Sequence, residues 1–213
     1  RQFCNRKGFD PHAGLNDIKQ IPPVAVSVFK NLGYGLASVP KEDIKLRLQS
    51  SATSGTPSTV VVDKITSKRQ AKAMVKVMQE FIGKDRKPFL VMDIDPRSEF
   101  RSLLGARFAA ITGYLNFASK SGFFLKAKNG VSYFDIDAIK EYLTTIPSDQ
   151  PVVVFGFTYI MYSNVLKAIL AKGEKIQLPK GSKIIHIGGW KKLEAEKVEK
   201  SLFNQQLADG FGI

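Results

Sequence analysis

Three short runs, residues 88–94, 151–155 and 182–187, are rich in Val, Ile and Phe, and the first two are apolar at almost every position. A strand that is apolar on both faces has no side to give to water, so it must be covered above and below. That requirement favours a parallel sheet with helices on both faces. The segments between the runs supply the helices. In 67–82, Ala71, Met74, Val75, Met78 and Ile82 recur at helical spacing up to Gly83, and in 103–117 Leu104, Phe108, Ile111 and Leu115 share one side. Asp135 can cap a helix that runs to Leu143, 158–172 is a helix stopped by Gly173, and 193–207 is another with Asp209-Gly210 at its end. Residues 122–126 read as a further short strand, followed by an Asn129-Gly130 turn. The fold class is therefore α/β, with a mostly parallel sheet.

Ahead of this alternation, Ile44-Lys45-Leu46-Arg47-Leu48 and Thr59-Val60-Val61-Val62-Asp63 read as two strands that flank a loop. Residues 24–32 form a short helix ended by Gly33 and Gly35, and residues 1–26 are a loop-rich lead-in. The 213 residues suit a single α/β domain that buries roughly 70% of its unfolded surface without disulfides.

The charge balance narrows the partners. With 32 Lys and Arg against 19 Asp and Glu, the chain carries +13, so it favours anionic ligands. The cations are scattered and no nucleic-acid motif accompanies them. An anionic substrate such as ATP, or an acidic protein, therefore accounts for the charge better than nucleic acid does. The longest apolar stretch, 151–162, is interrupted by Gly156 and Thr158 and is too short for a membrane span. Cys4 is the one cysteine and reads as an ordinary thiol; together with the absence of a signal-peptide pattern it points to the cytoplasm.

In a parallel sheet the ligand crevice lies beyond the carboxyl ends of the strands, and three stretches are expected there. The first is Ser50-Ser51-Ala52-Thr53-Ser54-Gly55-Thr56-Pro57-Ser58, whose hydroxyls and backbone N–H groups can converge on an anion around Gly55. No Lys follows that glycine, so it is not a Walker loop; a connection without a ligand is the plainer alternative. The second is Gly156-Phe157-Thr158-Tyr159. The third is His186-Ile187-Gly188-Gly189-Trp190-Lys191-Lys192, where paired glycines admit a flat ring and Trp190 is either an aromatic wall or a core residue. Asp93 and Asp95 at the end of 88–94 are open to two readings, magnesium ligation or turn chemistry before Pro96. Phe155, Phe157, Tyr159 and Tyr162 suit an apolar wall or the core.

The hydroxyl-rich loop resembles the phosphate loop of the adenylate-forming superfamily, with Ala52 in place of its first glycine and Ser58 where many members have Lys. Taken with Gly188-Gly189-Trp190-Lys191, Ser38-Val39-Pro40, Asp63, Arg69-Gln70 and Phe203-Asn204, the chain resembles the LuxE acyl-protein synthetases along nearly its whole length. These are the fatty-acid-activating subunits of the bacterial luciferase fatty acid reductase complex. The resemblance implies the core of an adenylate-forming N-terminal domain. It implies ATP- and Mg2+-dependent activation of a long-chain fatty acid to an acyl-adenylate, then transfer to a protein cysteine for an acyl-reductase partner subunit. Ser51, Thr53, Ser54, Gly55 and Thr56 would hold the phosphates, Gly188, Gly189 and Trp190 would line the adenine, and Phe157 and Tyr159 would face the acyl substrate. The superfamily's Tyr-Gly-x-[ST]-Glu motif, ribose-binding Asp and catalytic Lys would all follow the last helix, so the chain is expected to be part of the enzyme, inactive alone, and no catalytic residue or dedicated metal ligand is named. Two alternatives stay open: a ligase of the phenylacetate–CoA type, and a noncatalytic basic module.

Overall fold

The computed structural model describes residues 2–49, 57–100 and 107–213. Where the sequence reads as one domain, the chain divides into two compact units, Arg1–Met74 and Val75–Ile213.

In the first unit a short helix α1 (Gln2–Arg6) precedes loops and α2 (Val26–Leu32). Gly33, at φ +40°, ends α2 as expected. Strands β1 (Ile44–Gln49) and β2 (Thr59–Asp63) pair antiparallel, with Leu48 opposite Val60 and Gln49 opposite Thr59. The predicted strand–loop–strand unit is therefore formed up to both ends of the loop, while 50–56 itself lies outside the described residues. Helix α3 (Lys64–Ile82) starts three residues before Ser67. The reason is Asp63: its Oδ1 accepts the Thr66 backbone N–H at 2.7 Å, so the last residue of a strand also caps the helix. Of the apolar stripe read from the sequence, Met78 and Ile82 are buried and Met74 is half-buried, whereas Ala71 and Val75 are exposed.

The second unit is built on a four-stranded, all-parallel sheet. Strand β3 (Lys87–Met92) is followed by α4 (Arg107–Tyr114), β4 (Ala118–Phe123) and a hairpin of β5 (Leu125–Lys128) and β6 (Val131–Phe134). After α5 (Ile136–Thr144) come β7 (Val153–Phe157), α6 (Thr158–Ile160), a π-helical stretch (Met161–Leu166), α7 (Lys167–Lys172), β8 (Lys183–Ile187) and α8 (Lys200–Phe211). The sheet order is β4-β3-β7-β8. Every residue of β7, and every residue of β3 after Lys87, is buried, which is why the sequence shows no polar alternation there. Each fully buried Val, Leu or Phe contributes about 1.5–3 kcal/mol.

Several local readings hold. Asp135 accepts the Ala138 N–H at 3.0 Å and caps α5. The hairpin turn places Asn129 at φ +50° and Gly130 at +77°, the pair of left-handed residues that a two-residue hairpin loop needs. Three boundaries differ. The strand expected at 122–126 breaks at Phe124, whose N–H still bonds the Val91 carbonyl at 3.0 Å while β5 leaves for the hairpin. Phe123, Phe124 and Leu125 are all buried, so no period-2 pattern marks the break.

The helix expected at 193–207 is a 3-10 segment (Lys191–Glu196), an extended Lys197 and then α8. Gly210, expected at a helix end, lies inside α8: a Cβ there would sit 3.5 Å from Leu166 and 3.6 Å from Ile169. The stop is Gly212, at φ +60°. The 158–172 helix is continuous, with its middle wound as π-helix.

Candidate functional site at the switch point of the sheet

From β3 the chain crosses to β4 on one side, and from β7 it crosses to β8 on the other. The two connections leave adjacent strands in opposite directions, which opens a crevice beyond the carboxyl ends of β3 and β7. Asp93, directly after β3, has no exposed side-chain surface. Arg107, the first residue of α4, reaches it in fork geometry: Nε donates to Oδ2 at 2.8 Å and Nη2 to Oδ1 at 3.1 Å. The Ile94 N–H adds a third bond to Oδ1 at 2.9 Å. Burial pushes the Asp93 carboxyl above the usual carboxylate range, with Arg107 and the Ile94 N–H opposing it. The same guanidinium donates from Nη1 to the Tyr159 Oη at 2.6 Å and lies about 6 Å from the ring centres of Phe157 and Tyr159.

A second cluster joins the ends of β7 and β8. The buried Thr158 Oγ1 donates to the Gly188 carbonyl at 2.8 Å, with the Ile187 carbonyl at 3.2 Å and His186 Nδ1 at 3.0 Å. Burial holds the His186 imidazole below its usual pKa, against a hydrogen bond with Asn204. Its ring meets Phe203 edge-on at 5.1 Å. Gly188 sits at φ +79°, a conformation that favours glycine, and a Cβ on Gly189 would meet nothing within 4 Å. The backbone is thus open to a flat ligand at Gly189.

Trp190 is only 8% exposed. It packs edge-on against Tyr162 at 4.9 Å and Phe203 at 5.6 Å.

Of the residues expected at the site, Phe157, Tyr159, Gly188, Gly189 and Trp190 are brought to the carboxyl ends of two neighbouring strands, with Phe157 in register with Ile187. Ser51, Thr53, Ser54, Gly55 and Thr56 lie outside the described residues. Asp93 and Asp95 do not converge on one point: Asp93 is held by Arg107, and Asp95 is held by Arg97 through bonds of 2.9 and 2.8 Å. Arg97 keeps the Asp95 carboxyl below its usual range. Among the described residues no three His, Cys, Asp or Glu side chains form a metal-binding group.

Sequence reasoning missed Arg107, because an arginine inside the helix expected over 103–117 resembles any solvated cation until the fold brings it to a buried carboxylate. It also missed a cleft of about 540 Å³ beyond β3 and β4, lined by Ile94, Asp95, Arg97, Phe123, Lys126 and Tyr133 among others. The only local hint was the Asn129-Gly130 hairpin that forms one wall.

A parallel sheet with helices, a switch-point crevice and glycines opening a strand end is the architecture of an α/β enzyme that binds its ligand beyond the strand ends. The chain belongs to the LuxE acyl-protein synthetase family, whose model, described as "Acyl-protein synthetase, LuxE", matches residues 1–213. It is thus a member of a ligase family. No curated protein matches the sequence. Among the described residues no helix is long and apolar enough to cross a membrane.

Proposed function

We propose that the protein activates a long-chain fatty acid with ATP and passes the acyl group to a protein cysteine, for use by an acyl-reductase partner in the cytoplasm. In the first half-reaction a carboxylate oxygen attacks the α-phosphorus, pyrophosphate leaves, and an acyl-adenylate results. In the second, a cysteine thiolate attacks the acyl carbonyl and AMP leaves, giving the thioester. Neither step needs a protein nucleophile before the cysteine acts; what the chain must supply is position and charge stabilisation.

The observation that carries the reading, beside family membership, is the backbone at Gly188-Gly189. Thr158 ties the Gly188 carbonyl to β7, which holds that strand end in place, and no Cβ stands between Gly189 and an incoming flat ring. Gly188, Gly189 and Trp190 are assigned to the adenine, with Trp190 stiffening the turn from its aromatic nest. Ser51, Thr53, Ser54, Gly55 and Thr56 are assigned to the phosphates. Phe157 and Tyr159 are assigned to the acyl substrate. Magnesium, when bound with ATP, supplies neutralisation of the pyrophosphate charge.

The test is fatty-acid-dependent ATP–pyrophosphate exchange by the native protein, with Gly55→Val as the variant. Exchange that requires fatty acid and is abolished by Gly55→Val, in a protein that stays folded, supports the assignment. Exchange unaffected by Gly55→Val refutes the phosphate role. As the chain's one tryptophan, Trp190 also reports directly: ATP should change its fluorescence.

A further inference from the structure

Phe203 and Asn204, a pair singled out in the sequence and unused by the function above, lie on α8 beside His186 of β8. The hydrogen bonds at this strand end have a definite direction. The Thr158 hydroxyl has one proton and three neighbours: the Gly188 carbonyl at 2.8 Å, His186 Nδ1 at 3.0 Å and the Ile187 carbonyl at 3.2 Å. Both carbonyls are acceptors only, and two oxygens stand 2.8 Å apart with a hydrogen between them, so the proton lies towards Gly188. His186 Nδ1 then faces a lone pair of Oγ1 and must itself carry a hydrogen. Its Nε2 is left bare, as the acceptor for the Asn204 amide. Phe203 sets the plane of the imidazole, meeting it edge-on at 89°, and packs against Trp190 as well.

The last bond of this series decides what the backbone presents. In a planar trans peptide the C=O and the N–H point in opposite directions, so a Gly188 carbonyl held towards Thr158 turns the Gly189 N–H away from it. Gly189 is exposed, and among the described residues its N–H has no hydrogen-bond partner. We propose that Asn204, His186 and Thr158 are positioning residues, a relay that fixes the Gly188-Gly189 peptide so that the Gly189 N–H donates to the purine of ATP; the assignment rests on the ATP-dependent reading above. The donor is single and stands where no Cβ obstructs a flat ring, which suits a ring nitrogen. A polyphosphate takes several donors at once.

Two measurements test this. The chain has two histidines, His12 and His186, so nitrogen NMR of the imidazoles, assigned with His12→Gln, reads the tautomer of His186 directly. At neutral pH Nδ1 should be protonated and Nε2 bare; the reverse would overturn the relay, whatever the protein binds. In isothermal titration ATP is compared with tripolyphosphate, which lacks the purine, for wild type, Thr158→Val, Thr158→Ser and Asn204→Leu, with melting curves to show that each is folded. Thr158→Val should weaken ATP about tenfold and leave tripolyphosphate unchanged, the effect of one misplaced hydrogen bond. Thr158→Ser, which keeps the hydroxyl, should restore ATP. Asn204→Leu, at an exposed position, should weaken ATP in the same selective way by a smaller factor, and it decides the matter if Thr158→Val does not fold. Equal loss of both ligands in Thr158→Val, Thr158→Ser no better than Thr158→Val, or Asn204→Leu without effect would overturn the proposal. Wild type that does not bind ATP would overturn the ATP-dependent reading itself, while the tautomer of His186 would still decide the relay.

Discussion

Replacing Arg107 by Met keeps much of the side-chain volume and removes the fork, which leaves a carboxylate with no exposed surface and only the Ile94 N–H as a described partner. Breaking a buried pair in this way costs about 3–5 kcal/mol, because the remaining charge is uncompensated. In a unit of this size that is a fall in Tm on the order of 10 °C. The pH dependence identifies the cause. Arg107 lowers the Asp93 pKa by its charge and its hydrogen bonds while burial raises it, so in the variant the folded-state value must climb further above the unfolded value of about 3.9. A group raised on folding contributes stability that is present below the unfolded pKa and is lost as pH rises through the folded one. The deficit of Arg107→Met relative to wild type should therefore be largest near neutral pH and shrink towards pH 4. Adding Asp93→Asn, which removes the charge, should recover a good part of it at neutral pH. Urea unfolding of wild type and both variants, at neutral pH and near pH 4, measures all of this. A cost under about 1 kcal/mol that does not change with pH, or no recovery in the double variant, would refute the description of Asp93–Arg107 as a buried, mutually dependent pair.

Two further outcomes follow from the packing and the charges. In Gly156→Ala the new Cβ would stand 2.6 Å from Met161 Sδ and 3.2 Å from Met92 Cβ, so overpacking should cost about 1–3 kcal/mol. The Met161 side chain is the flexible neighbour, so Gly156→Ala with Met161→Ala should cost clearly less than the sum of the two single changes; additivity within about 0.5 kcal/mol would show that the two sites do not touch. For His186, burial depresses the folded-state pKa, so the unfolded chain takes up the proton first as pH falls below about 6.5. Stability should drop from neutral pH into the mildly acidic range, and His186→Asn should flatten that part of the curve in urea titrations; an unchanged slope would refute it.

The local devices were legible because their causes are local. Asp135 caps α5 through a residue three positions on, Asn129-Gly130 closes a hairpin with its own dihedral angles, and Gly33 and Gly173 stop helices with theirs. Where two signals overlapped, the sequence was less decisive. Asp63 belongs at once to a strand and a helix cap, and three consecutive buried residues hid the break at Phe124.

By itself the sequence determined that β3 and β7 are covered on both faces, because neither run has a polar side to give to water. It also placed the stretches around Phe157 and Gly188 at strand ends, because each follows directly on a run rich in Val, Ile and Phe. Tertiary structure alone decided that β3 and β7 are neighbours whose connections part in opposite directions, and hence where the crevice opens. It also decided that Arg107, fourteen residues after Asp93 and fifty-two before Tyr159, joins the two. Strand order and ion-pair partners depend on which surfaces meet when the whole core is buried, and no periodicity along the chain records that choice.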